Sequence, residues 1–160
     1  MNSWSNYFST IAGAGATLTG LLFVAVSINL SRILAMPGLT GRVAESLVQL
    51  FSVVAIATTF LIPGLRPHTL GIFELGLTLM AWTYQACVQG RYVAARTGHP
   101  RYWILSRIVQ TQLASIPFFV SGILLIIGSP AALYWSAAGF VLCLAGGIIS
   151  AWVLLIEILR

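Results

Sequence analysis

Apolar residues along this chain fall into five long runs, and the residues between the runs carry turn chemistry. The runs span residues 11–30, 43–65, 70–89, 104–128 and 133–159. Each reaches the ~20 mostly apolar residues that a helix needs to cross a bilayer. The gaps hold Pro37 and Gly38, then Pro63, Gly64 and Pro67, then Gly98 and Pro100, then Gly128 and Pro130. Proline and glycine in such pairs stop helices and reverse the chain. The pattern predicts an all-α fold: a polytopic transmembrane helical bundle of five spans, with residues 1–160 forming a single integral membrane domain. The second and third spans, and the fourth and fifth, are separated by so few residues that each pair forms a tight antiparallel hairpin. Nothing basic precedes Ile11, so the first run reads as a span and not as a cleaved signal.

Polar positions inside the runs are few, and they follow helical spacing. In the third run Gly71, Glu74, Thr78, Ala81, Gln85 and Gln89 succeed one another at steps of three or four. That spacing places them on one helix face. A face that is small or polar from end to end belongs against other helices, so the third span is expected in the bundle interior. The second run carries Glu45, Gln49 and Ser52, and the fourth carries Arg107, Gln110 or Thr111, and Ser115. The first run ends with Ser27 and Asn29 at the same expected depth. Together these predict a polar interior cluster that opens toward the cytoplasm, the side on which the arginines gather. It serves either as a water-lined path or as hydrogen bonding between helices, worth about 0.6 kcal/mol per contact in a bilayer.

Composition supports the membrane assignment. Apolar residues make up 59% of the chain and charged residues 7%, against roughly 25% charged in soluble domains. So few charges cannot cover a water-exposed surface, and a disordered chain would be polar and highly charged. The net charge of +5 does not indicate nucleic acid, because the arginines flank apolar runs instead of lining one face. They set orientation instead. Arg32, Arg42, Arg91, Arg96, Arg101, Arg107 and Arg160 belong to one side of a five-span protein, and Arg66 alone to the other. Arginine-rich short loops stay in the cytoplasm, which predicts an outside N-terminus and a cytoplasmic C-terminus. Aromatic residues fit two interfacial belts, with Trp4, Tyr7, Phe8, Tyr134 and Trp135 outside and Tyr92, Tyr102 and Trp103 inside.

Two carboxylates stand out. Glu74 lies within the third span, where Arg66 and His68 of the preceding turn are its candidate partners. It reads as a proton or cation site, or as a carboxylate that reaches water near the interface. Glu45, in the first turn of the second span, suits the positive end of the helix dipole and is expected to pair with Arg42, three residues earlier. Small residues four apart mark close helix approaches: Ala12, Ala16 and Gly20 in the first span, and Gly139, Cys143 and Gly147 in the fifth, with Gly146 and Ser150 alongside. One set is expected to pack within the chain and the other between subunits. Pro117 removes a backbone donor in the fourth span and strains the carbonyl of Leu113, so a kink is expected there.

No enzyme, cofactor or metal centre is expected. His68 and His99 fall on opposite sides of the membrane, and no aspartate exists to orient either. GAGATLTG, residues 13–20, is glycine-rich but lies inside a span with no strand before it, so it does not make a phosphate loop. Cys87 and Cys143 both sit in apolar runs and read as small buried hydrophobes.

The stretch GATLTGLLFVAVSINLSRIL (Gly15–Leu34), followed by PGLTGRVAESL (Pro37–Leu47), resembles an uncharacterised group of small bacterial multi-pass inner-membrane proteins. Some members are labelled modulators of the membrane protease FtsH. The resemblance covers about the first third of the chain. It implies a location in the cell inner (cytoplasmic) membrane and a regulatory partner role. LTGLLFVAV (Leu18–Val26) is also similar to the pore helix of Orai-type calcium channels, although that pattern carries an acidic residue near its outer end and this span has none. Two functions are therefore expected to compete. One is a non-enzymatic regulatory or partner module of a membrane complex. The other is a homo-oligomeric ion channel or small-solute transporter with a polar path along the third helix. Expected partners are membrane lipids with a second copy or another membrane protein, and no nucleic acid.

Overall fold

The computed structural model describes residues 4–36, 39–94 and 101–159, the side chains of 101–104, 153–155 and 157–159 excepted. Pro37, Gly38, Arg96, Gly98, His99, Pro100 and Arg160, and the side chains of Tyr102 and Trp103, thus lie outside the described residues. The described chain is helical: α1 (Ser5–Ile28), α2 (Leu30–Ala35), α3 (Leu39–Phe60), α4 (Pro67–Ala94), α5 (Arg101–Ile126) and α6 (Ala132–Leu159). Helix boundaries follow local chemistry. Pro67 opens α4 at the position where a missing N–H costs nothing. Gly64 and Gly128 adopt φ of 79° and 73° in the two short turns. At Gly128 the amides of Gly128 and Ser129 reach back to Leu125 and Leu124 at 3.1 and 2.9 Å. This Schellman closure satisfies the last carbonyls of α5 before Pro130. α5 runs unbroken through Pro117.

Four described helices are long and apolar enough to cross a membrane: α1, α3, residues Leu105–Ile126 of α5 and residues Ala132–Trp152 of α6. Their outward faces carry Leu21, Phe23, Phe51, Ile123, Ile148 and Trp152, all exposed. An apolar shell of this kind is the surface of a membrane-embedded helical bundle. α4 is as long but less apolar, because its polar stripe lowers its mean hydropathy.

α3, α4, α5 and α6 form a four-membered ring, each packed on the next, with α6 closing back on α3. α1 lies outside this ring, packed along α3 and touching α6 only lightly; α2 sits against α3. The close approaches rest on glycine. A Cβ on Gly71 would come within 2.7 Å of the Gly122 carbonyl oxygen, so α4 and α5 meet backbone to backbone. A Cβ on Gly139 would meet the Phe118 ring at 2.9 Å, and one on Gly147 would meet Leu50 at 2.5 Å. The fifth-span set Gly139, Cys143 and Gly147 is therefore buried within the chain.

The first-span set behaves otherwise. Ala16 and Gly20 are exposed, Ala12 is half-buried, and Gly15 makes the contact with α3, against Val53 and Val54. The face that fits α3 also carries Phe8, Ile11 and Leu22, and burying those large side chains turns the small stripe outward. Phe8 likewise turns into the bundle, beside Trp4 and Tyr7. It is 2% exposed and stacks on Phe60 at 4.5 Å, in an apolar plug with Phe118 and Phe140. Trp4, Tyr7 and Tyr134 do gather at this end, with Trp4 and Tyr134 centroids 5.2 Å apart.

Candidate functional site

The ring interior is polar along most of its length. The α4 stripe supplies one side of it: Gly71, Glu74, Thr78, Gln85 and Gln89 are all buried and Ala81 is half-buried. From Glu74 to Gln89 is about 22 Å of helix axis at 1.5 Å per residue. The other three helices answer this stripe level by level.

At one end Glu74 is fully buried. Its two carboxyl oxygens accept from Ser121 of α5 and Ser136 of α6, each at 3.1 Å. The two hydroxyls also contact each other, and the Ala132 carbonyl, 3.0 Å from Ser121 Oγ, is an alternative acceptor for its single proton. Arg66 and His68, the expected partners, are exposed in the turn and at the start of α4. The reason is geometric. Glu74 faces the axis, seven residues and nearly two turns beyond Pro67, while the turn residues stay at the rim. The Gly71–Gly122 contact brings α4 close enough for a short serine to reach the carboxyl group.

At the other end Arg107 Nη2 donates to Glu45 Oε2 at 2.7 Å, and both side chains are mostly buried. The pair joins α5 to α3 across the ring. Glu45 therefore takes Arg107 as its close partner, although Arg42 lines the same small cavity. Glu45 points to the axis of the bundle, where α5 supplies the cation. The Arg107 guanidinium also lies over the Tyr92 ring, 5.1 Å from its centroid, a favourable cation–π contact.

Between these ends the amides bind one another's helices. Gln89 Nε2 donates to Thr111 Oγ1 at 2.8 Å. Gln110 Nε2 donates to the Gly146 carbonyl at 2.8 Å and to Ser150 Oγ at 3.2 Å. Gln49 Nε2 reaches the Cys143 carbonyl at 3.4 Å. Both Gln110 and Thr111 are thus used. Glycine at position 146 makes room for two amides at once, since a Cβ there would lie 2.6 Å from Gln49 Nε2 and 2.9 Å from Gln110 Nε2. On the outer side of the α4–α5 seam, Trp82 donates its indole N–H to Gln112 at 3.0 Å.

Two small cavities of about 20 Å³ interrupt this column. One is bounded by Thr78, Gln85, Gln49 and Phe118, the other by Glu45, Arg107, Gln49 and Gln110. Each is the size of a single water molecule. A much larger groove of about 360 Å³ lies outside the ring between α1 and α6, floored by Leu50 and Gly147. Its lining is apolar except for Asn29. The structure does not bring Asn29 to the polar column: its side chain donates to the Ala25 carbonyl of its own helix at 2.9 Å. Asn29 instead marks the break between α1 and α2.

Of the residues singled out by spacing, Glu45, Gln49, Glu74, Thr78, Gln85, Gln89, Arg107 and Gln110 share one interior, and Asn29 does not. Ser121, Gly122 and Ser136 were missed. For Ser136 the signal was present, since Ala132, Ser136, Gly139, Cys143, Gly146 and Ser150 continue one small-residue face along α6 at steps of three or four. Among the described residues no three His, Cys, Asp or Glu side chains lie close enough to hold a metal ion. Comparison with protein-family models, with curated proteins and with solved structures gives no match.

Proposed function

We propose that this chain is a five-span protein of the cytoplasmic membrane, N-terminus outside and C-terminus inside. In this reading it acts as a non-enzymatic module that binds and regulates another membrane complex. α4 joins the four more apolar helices as a span, third in chain order. Its 28 residues exceed the ~20 needed to cross, and its polar stripe is buried in the ring, away from lipid. Orientation rests on the arginines. Arg32, Arg42, Arg91 and Arg107 gather at one end of the ring and Arg66 at the other, and basic residues favour the cytoplasmic side.

The observation that carries the choice of function is the burial of the α4 stripe. A pore built by several copies around Glu74, Gln85 and Gln89 needs that stripe on the subunit surface. Here it is turned into the chain's own ring, and the two cavities along it hold about one water each. What the chain offers its neighbours is a lateral apolar surface, including the outward small stripe Ala16 and Gly20 of α1. The resemblance of residues 15–34 and 37–47 makes a membrane-bound protease the first partner to test.

The test is in-membrane photo-crosslinking from position 20 of α1, combined with a flux measurement on the purified protein in liposomes. A crosslink to one defined membrane protein, with no flux of protons, alkali cations or calcium, is the expected result. Flux that falls on Glu74→Gln would establish the transport reading in its place. Crosslinks only between copies of this chain would end the partner reading.

A further inference from the structure

Among the described residues, three polar atoms buried in the ring interior have no hydrogen-bond partner: Glu45 Oε1, Arg107 Nε and Thr78 Oγ1. Buried groups of this kind are normally satisfied, by protein or by ordered water. Glu45 and Thr78 are only 8% and 4% exposed, so outside solvent does not serve them. Each orphan instead borders one of the two cavities. Glu45 and Arg107 line the first, and Thr78 lines the second. A cavity holds a water when it offers roughly 10–15 Å³ and two to four polar partners. Both cavities, at about 20 Å³, meet the size requirement.

We propose that the ring interior binds two structural waters, one bridging Arg107 and Glu45 and one held by Thr78, with the Gln49 amide between them. The first water accepts from Arg107 Nε–H and donates to Glu45 Oε1. It thereby completes the second arm of an ion pair whose direct arm is the 2.7 Å contact. The second water takes Thr78 Oγ1 and the Gln85 side chain as partners. Gln49 borders both cavities, and an amide can donate to one water and accept from the other. The result is a hydrated seam from the Arg107 end to the middle of the bundle. It stops one helical turn short of Glu74, whose carboxyl oxygens are met by the Ser121 and Ser136 hydroxyls directly. The interior is thus wet in one half and dry in the other.

The experiment is water-edited solid-state NMR on the full chain in lipid bilayers, with labelled arginine, threonine and serine. The readout is how fast magnetisation passes from water to each side chain. Ser121 and Ser136 are matched controls, because they are buried hydroxyls bordering neither cavity. Transfer to Thr78 and to Arg107 Nε is expected to be several-fold faster than to these serines. Ala81→Leu, which fills the Thr78 cavity, is expected to abolish the fast transfer at Thr78 and leave that at Arg107. Transfer at Thr78 or Arg107 as slow as at Ser121 overturns the proposal, and so does fast transfer at Thr78 that survives Ala81→Leu.

Discussion

Arg107 and Glu45, 62 residues apart, meet at 2.7 Å across the middle of the helix ring. The pair is mostly buried, so its value lies in completeness. Removing one member leaves the other charge without its close partner in a low-dielectric interior. Glu45→Ala or Arg107→Ala is expected to cost about 3–5 kcal/mol. Replacing both together is expected to cost less than the two single changes summed. Unfolding in mixed micelles, followed for all three variants, measures this. Simple additivity would show that the two side chains do not act as a pair.

At the opposite end the hydroxyls of Ser121 and Ser136 each take one oxygen of Glu74. Ser136→Ala leaves one buried carboxyl oxygen without its donor, and a loss of about 1–3 kcal/mol is expected. Ser150→Ala is the contrasting change. It removes a 3.2 Å contact from Gln110, which keeps the Gly146 carbonyl, so the loss is expected near the ~0.6 kcal/mol typical of interhelical bonds in membranes. The same unfolding assay ranks the two, and an equal or reversed ranking would contradict the Glu74 cluster.

Two glycines separate packing from exposure. Gly71→Ala places a methyl group 2.7 Å from a backbone oxygen of α5. Neither atom is the end of a flexible side chain, so the helices must part, at about 1–3 kcal/mol. Gly20→Ala meets open space and gains up to about 1 kcal/mol in helix propensity. The expected signs are opposite, and thermal melting of the two variants in one detergent reads them directly.

Topology is open to a direct check at the ends of α4. In a Cys87→Ser, Cys143→Ala background, His68→Cys is expected to react with a membrane-impermeant maleimide from outside the cell. Arg91→Cys is expected to react only after the membrane is opened. Both positions are exposed. Labelling of the two from the same side would mean that α4 does not cross.

Helix periodicity made one half of this site legible. The spacing of Glu74, Thr78, Gln85 and Gln89 identifies a single face, and a polar face on an apolar helix has few places to go but inward. The partner of each residue was not legible from spacing. Arg42 and Arg66 were the near neighbours in sequence, yet Arg107, Ser121 and Ser136 occupy the axis, because ring geometry puts distant helices closer than adjacent turns. Which of the two small-residue sets packs within the chain was not legible for a related reason. Small residues allow close approach but do not compel it, and the large side chains on the other face of α1 outweighed them. Helix α2 begins at Leu30, the last residue of the first run, and occupies what the apolar pattern shows only as a gap. A helix too short to cross the bilayer carries little hydropathy signal.

In lipid, one greasy helix surface is much like another, and shifting a helix along its neighbour by a turn exchanges similar methyl groups for similar methyl groups. The polar column removes that freedom. Its contacts sit at different heights and tie different pairs of helices: α4 to α5 and α6 at Glu74, α5 to α6 at Gln110, α3 to α5 at Glu45. A slip of any ring helix strands several buried groups at once, and no alternative height re-pairs them all. The column therefore works as a vernier, fixing the vertical alignment of four helices that the bilayer by itself would let slide.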